Sequence, residues 1–352
     1  MARIFQDGFE TVTLSNKGDP GTIVGSPWVI GTQNQYCYYT ISSQYGRTGN
    51  GLRVYASAGS ATGDFSAKLS PAQSELYVRF YINIRSVSSS GSVQLFALLD
   101  ANGNRHMAFR FAPAGGLVNV RLYVGDTDTG QFFTVPLGLW VMIEVHLLVG
   151  AAGIVEIRRN GELVLSWQGN TQGARGATVG HIAIASGSTV AGEVWFDDVA
   201  VNDTQGTVNN GWVGPGSVRL LAPNGNAQSQ WTLVGASFQY QAVDEFPPDG
   251  DTSYVEAPSV GAEDLYAMAD TGASSSATIK AVRWLATAKQ TASGTRFVPV
   301  LNVGGTKYTG PELEPGVDYT FLTAIWDVNP ATGQPWSPSD VDALQAGVRR
   351  TA

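Results

Sequence analysis

Cysteine is all but missing from this chain: Cys37 is the only one in 352 residues. That excludes an intrachain disulfide and a thiolate zinc cluster. Flanked by Tyr36 and Tyr38, the thiol reads as a small core residue. Histidine is nearly as scarce. His106, His146 and His181 stand too far apart for an H-x-x-H or H-E-x-x-H metal motif, and each reads as a strand-face or satisfied core residue. Charge is thin. Charged residues make up 14% of the chain, against about 25% in an average soluble domain. With 29 acids against 21 bases the formal net charge is −8, which disfavours a broad phosphate-binding surface and a nucleic-acid partner. No segment approaches about 18 uninterrupted apolar residues, and the first residues lack a signal-peptide core. The chain is therefore expected to be made in a cytoplasm, without membrane insertion.

What is present is glycine, 42 residues of it, and 43% hydrophobic residues, ample for a core. At about 150 residues per domain the length suggests two domains. Short runs rich in Val, Ile, Phe and Tyr, separated by Gly, Ser and Asp, predict an all-β protein. Residues 75–84 (ELYVRFYINI), 93–99, 118–124, 181–185 and 194–201 read as strands. In 140–148, Val141, Ile143, Val145 and Leu147 share one face, and Met142, Glu144 and His146 the other. Asn160-Gly161 between two such runs predicts a two-residue type I′ hairpin, with Arg159 opposite Glu162 and Ile157 opposite Val164.

Residues 202–217 (NDTQGTVNNGWVGPGS) lose this periodicity, so a boundary is placed near 206–212. The expected organisation is a jelly roll over 1–205, a linker over 206–216 and a second β-sandwich over 217–352. Within the latter, 218–221, 238–243, 278–288, 296–303 and 319–328 read as strands. Ser337-Pro338-Ser339-Asp340 predicts one helix, with a serine N-cap, proline at the first position and an acid at the third. It is expected to reach Ala346 and stop at Gly347.

Catalytic patterns are missing. A retaining glycosidase needs two carboxylates about 5–5.5 Å apart, and no E-x-D-x-E strand supplies them. There is no G-x-S-x-G elbow either. Asp197 and Asp198 are adjacent in a strand, so alternation places one of them on a largely apolar face. A buried carboxylate must be paired, hydrogen-bonded or metal-bound. One reading is a calcium site formed by Asp7, Glu10 and Asp198; the other is an acid receiving backbone N–H groups from a nearby loop. The acidic stretches 244–251 and 263–264 read as solvated turns. Trp28, Tyr36, Tyr38, Tyr39 and Tyr45 cluster in sequence, either as core and interface anchors or as a platform for sugar rings.

Several of these stretches resemble a concanavalin A-like (laminin G-like) jelly roll: Phe5-Gln-Asp-Gly-Phe9-Glu10, Gly49-Asn-Gly-Leu-Arg53, Trp140-Val-Met-Ile-Glu-Val145, the Gly153 to Gly161 hairpin and Trp195-Phe-Asp-Asp198. That resemblance implies glycan binding, with calcium in some members near positions matching Asp7 and Asp198. Residues 212–352 resemble the C-terminal module of tailed-phage and prophage virion proteins, on Leu221-Ala-Pro-Asn-Gly225, Gln230-Trp231-Thr232, Asp251-Thr-Ser-Tyr-Val255 and Trp326-Asp-Val-Asn-Pro-Ala-Thr-Gly333. The implied protein is a non-enzymatic structural component of the virion exterior, homo-oligomeric, with other virion proteins and host surface glycans as partners and no obligatory cofactor. A tail fibre or appendage is the leading expectation. Capsid decoration or a head fibre is the first alternative, and a polysaccharide depolymerase the second.

Overall fold

Along Glu75–Val87 the side chains of Leu76, Val78, Phe80, Ile82 and Ile84 are buried, while Tyr77, Tyr81 and Arg85 look outward. This alternation is that of a strand with one face against a second sheet. The computed structural model describes residues 2–12, 14, 21–31, 37–57, 65–87, 93–184 and 192–352, and the chain divides into two units, Met1–Val218 and Arg219–Ala352. Both are built almost wholly of antiparallel strands. No helix among the described residues is long and apolar enough to cross a membrane.

The first unit carries β1 (Arg3–Asp7), β2 (Gly21–Thr22), β3 (Trp28–Ile30), β4 (Cys37–Ser42), β5 (Gly51–Ala56), β6 (Phe65–Gln73), β7 (Glu75–Val87) and β8 (Val93–Leu99). It continues through β9 (Arg105–Ala114), β10 (Leu117–Val124), β11 (Thr127–Pro136), β12 (Trp140–Leu148), β13 (Gly153–Arg159), β14 (Glu162–Gly169), β15 (Val179–Ile184) and β16 (Gly192–Asp203). One sheet runs β14-β13-β12-β7-β16-β5-β4, with β1 on β16; the other runs β11-β10-β9-β8-β15-β6-β3-β2. Their inner faces share one core. At one end of it Trp28, fully buried, stacks on Phe9 and Phe65 at 5.5 and 5.0 Å.

The Asn160-Gly161 turn forms as expected, both residues at positive φ (51° and 89°) and Arg159 facing Glu162. Below it the register slips by one, so Ile157 faces Leu165 and not Val164. A bulge of this kind adds a residue to one strand. Cys37 belongs to β4, but its side chain and all of Tyr36 lie outside the described residues.

The stretch expected to be a linker instead lies on the first unit. Trp212 packs edge-on against Tyr77 at 5.2 Å, with the Arg158 guanidinium 4.1 Å from its ring centre. Gly214 N–H donates to Glu144 at 2.7 Å, and Arg47 donates to the Gly216 carbonyl. This strap explains why Glu144 and His146, on the outward side of β12, are nonetheless buried. A few apolar anchors suffice to seat a segment that has no periodicity.

In the second unit a five-stranded sheet runs β17 (Pro223–Gln228), β20 (Glu263–Met268), β25 (Gln345–Arg350), β22 (Phe297–Val303) and β23 (Thr306–Thr309). Two pairs join it, β18 (Thr232–Val234) with β19 (Tyr254–Glu256) and β21 (Val282–Ala288) with β24 (Thr320–Trp326). Residues 218–221 are not a strand, and 239–242 form a 3₁₀ turn because the Asn226 side chain accepts from Tyr240 N–H and donates to Gln239. The helix α1 (Pro338–Asp342) has the expected capping box, with Ser337 and Asp340 bonded reciprocally, but ends at Ala343. Gly347 sits inside β25, where a Cβ would lie 1.9 Å from the Asp264 carbonyl oxygen. Close approach of backbone, not helix termination, requires that glycine.

Candidate functional site

Small side chains line up across the outer face of the β11-to-β2 sheet. Register pairs Val29 with Ser66, Ser66 with Ala183, Ala183 with Ala97, Ala97 with Ala108, and Ala108 with Tyr123. Residues directly opposite one another share a face, so these six form a lane perpendicular to the strands. At about 4.8 Å per strand it spans roughly 24 Å. Ala97, Ala108 and Ala183 form its fully buried floor, with Leu99 beside them and Tyr123 packed against them.

One wall of the lane lies two positions along β9 and β10 and, because of a bulge, three along β8. Gln94 pairs with Arg110, Arg110 with Arg121, and Arg121 with Phe132, which is half exposed. Asp128 organises this wall. It accepts from Arg121 at 3.2 Å, and Tyr123 has the Arg110 guanidinium 4.2 Å from its ring centre. Arg110 has no carboxylate partner among the described residues. Gln94 is 3% exposed, and neither its Oε1 nor its Nε2 has a hydrogen-bond partner. Leaving such a group unpaired costs about 1–3 kcal/mol, and strain retained in a fold points to use. On the opposite wall stand Leu99, His181 and Lys68. His181 Nδ1 lies 3.1 Å from the Asp100 carbonyl. A carbonyl only accepts, so Nδ1 carries a proton in this contact. Three cations and one acid thus flank a lane on a chain whose net charge is −8.

The acids singled out in the sequence lie elsewhere, in a cluster linking β1, the 43–50 loop and β16. Asp7 receives the Trp28 indole N–H at 2.5 Å and Phe9 N–H at 3.2 Å. Asp198 receives Arg47 twice, at 2.9 and 2.5 Å, and Val218 N–H at 2.6 Å. Asp197 receives the backbone N–H groups of Arg47 and Thr48 and of Asp198 itself. Asp198 adopts a φ of 54°, and the β16–β7 register shifts between Asp197 and Ala200. This break in alternation is how two adjacent acids are both buried. N–H donors surround Asp7 and Asp198, and among the described residues no three His, Cys, Asp or Glu groups converge on a metal-sized space. Asp7, Glu10 and Asp198 each accept N–H groups instead. Excess EDTA is expected to leave the melting temperature unchanged; a fall of several degrees would restore the metal.

Glu10 accepts from Asn50 N–H at 3.0 Å. Burial pushes its carboxyl up to about 7, the Asn50 bond opposing and the charges of Asp198 and Asp7 assisting. The folded state therefore holds a proton that the unfolded chain releases. Stability from this group is present at low pH and is lost as pH rises from about 4.5 through about 7. Melting is expected to be higher at pH 5 than at pH 8, and Glu10→Gln to shrink that difference; identical slopes in the two proteins would contradict this.

Of the sequence aromatics, Trp28 and Tyr39 are core, while Tyr38 and Tyr45 lie on the outer side of the β14-to-β4 sheet. The lane was missed altogether. Its floor is alanine, which no motif marks, and its Gln94 and Arg110 meet only through cross-strand register.

No family model and no curated protein matches the chain. Among solved structures it is similar to the cellulose-induced protein Cip1, with 17% identity, a TM-score of 0.41 and coverage of 60% of this chain and 100% of that one. It is similar to alginate lyase Aly36B at 12% identity and TM-score 0.38, covering 56% of this chain and 96% of the other. For an endo-β-1,4-glucuronan lyase from the fungus Trichoderma reesei the values are 14%, 0.37, 57% and 95%. Lyases among these neighbours correct the expectation of a non-enzymatic chain. The missing E-x-D-x-E strand speaks only to hydrolysis by paired carboxylates, a different chemistry.

Proposed function

We propose that the first unit binds an acidic polysaccharide along the alanine lane. One observation carries this: among the described residues a buried amide without hydrogen-bond partners, Gln94, stands opposite Arg110, a guanidinium without a carboxylate, beside a floor of small side chains. Arg110 is half-buried and can donate to a sugar carboxylate, while the Gln94 amide faces it across the strand pair and is itself buried. The bond from Arg110 is charge-assisted, a class worth about 1.5–3 kcal/mol or roughly 10- to 150-fold in affinity.

Cleavage of that polymer is the second reading. His181, beside the lane and held through Nδ1 on the Asp100 carbonyl, favours it. The setting we propose is the exterior of a phage particle, supported by the likeness of residues 212–352 to virion modules. Other virion proteins would then be its assembly partners and the glycan of a host surface its target, with multiple copies adding avidity.

Affinity electrophoresis in gels holding sodium alginate, polygalacturonate or neutral dextran tests the binding. The acidic polymers should retard the chain, salt should weaken the retardation, and Arg110→Ala should reduce it. Equal mobility in acidic and neutral gels would contradict the proposal. New reducing ends in the acidic polymer, lost with His181→Ala, would establish cleavage.

A further inference from the structure

The opposite outer face of the first unit carries a different constellation. Register places Arg53 beside Trp195, Trp195 beside Asn83, and Asn83 beside Trp140, a row across β5, β16, β7 and β12. The two indole rings are 6.5 Å apart at 52°, and Tyr45 meets Trp195 at 5.3 Å. These rings are half-buried, each presenting part of its surface to solvent. Asn83, between the two tryptophans, is 4% exposed, and its Oδ1 has no hydrogen-bond partner.

The cations differ in their commitments. Arg53 is paired with Glu193 at 3.0 Å. Arg85 is exposed, has no carboxylate partner among the described residues, and holds its guanidinium 4.6 Å from the centre of a Trp195 ring. Arg53 and Arg85 are thus balanced by Glu193 alone, which leaves a local positive charge on an acidic chain. The strap over 204–218 covers the Tyr77 and His146 side of this face, where its Trp212 is seated, and so bounds the row on that side.

We infer that this row is a second polysaccharide surface, taking anionic sugars with Trp195 and Trp140 as stacking platforms and Arg85 as the counter-charge. A pyranose presents a C–H face that packs on an indole, and its carboxylate can meet the exposed Arg85 guanidinium beside Trp195. An arginine already stacked on a ring loses little freedom when it meets an anion. The inference stands on residues separate from the alanine lane, so either can fail alone.

Tryptophan fluorescence separates the two, because none of the named lane residues is a tryptophan. The full-length chain is titrated with sodium alginate and with polygalacturonate. A saturable change is expected in the parent chain and in Arg110→Ala alike. Trp195→Phe should lose most of that signal, and Arg85→Glu, a change at an exposed position, should weaken the apparent affinity at least tenfold while melting is retained. No saturable change in the parent chain, or an undiminished affinity in Arg85→Glu, would overturn the inference. A signal abolished by Arg110→Ala but untouched by Arg85→Glu would also overturn it, assigning the binding to the lane alone.

Discussion

Gln94→Leu is expected to make the first unit more stable while weakening the alanine lane's affinity for acidic polysaccharide. Leucine is close in volume to glutamine and carries no polar atoms. The side chain is 3% exposed, with both amide atoms unpaired, so the substitution relieves a desolvation cost of about 1–3 kcal/mol. In a unit of this size each kcal/mol moves the melting temperature by about 2–4 °C. A rise of several degrees should therefore accompany weaker binding in the lane, the opposite signs expected of a residue kept for function at the expense of stability. A destabilised Gln94→Leu would show that the amide has structural work to do, and unchanged binding would separate it from the site.

Asp198→Ala is expected to destabilise the first unit by about 2–4 kcal/mol. Breaking a buried ion pair costs about 3–5 kcal/mol, discounted here because the Arg47 side chain is 25% exposed while that of Asp198 is not exposed at all. The loss has three parts: Arg47 keeps an uncompensated charge, Val218 N–H loses its acceptor, and alanine must adopt a φ of 54°. Asp198→Asn should cost distinctly less, since asparagine tolerates that conformation and retains an acceptor oxygen. Denaturant titration of the three proteins measures the order. Equal stability of the parent and Asp198→Ala would mean that the ion pair contributes nothing.

Residues 140–148 and the Asn160-Gly161 hairpin were legible because their chemistry is local: alternation fixes a face, and a positive φ at both turn positions selects the turn. The capping box at Ser337 was legible for the same reason. The bulge opposite Ile157 was not, since a register slip depends on packing further down both strands. The strap was read as a linker because its composition carries no period, although Trp212 and Val213 seat it. Asp198 was recognised as an acid in need of a partner, yet the partner, Arg47, lies about 150 residues away in sequence. Gln94 and Arg110 carried no signal at all. Neither belongs to a motif, and their significance lies in partners they do not have.

Calorimetric titration of the intact chain with an alginate tetrasaccharide tests the central claim most directly. The alanine lane predicts a saturable heat for the parent chain and, in an Arg85→Glu background that silences the second surface, a Kd at least tenfold weaker with Arg110→Ala or Gln94→Leu added, with melting temperatures that show the variants folded. One and the same Kd in that background with and without the added changes, or no heat in any protein, would contradict it.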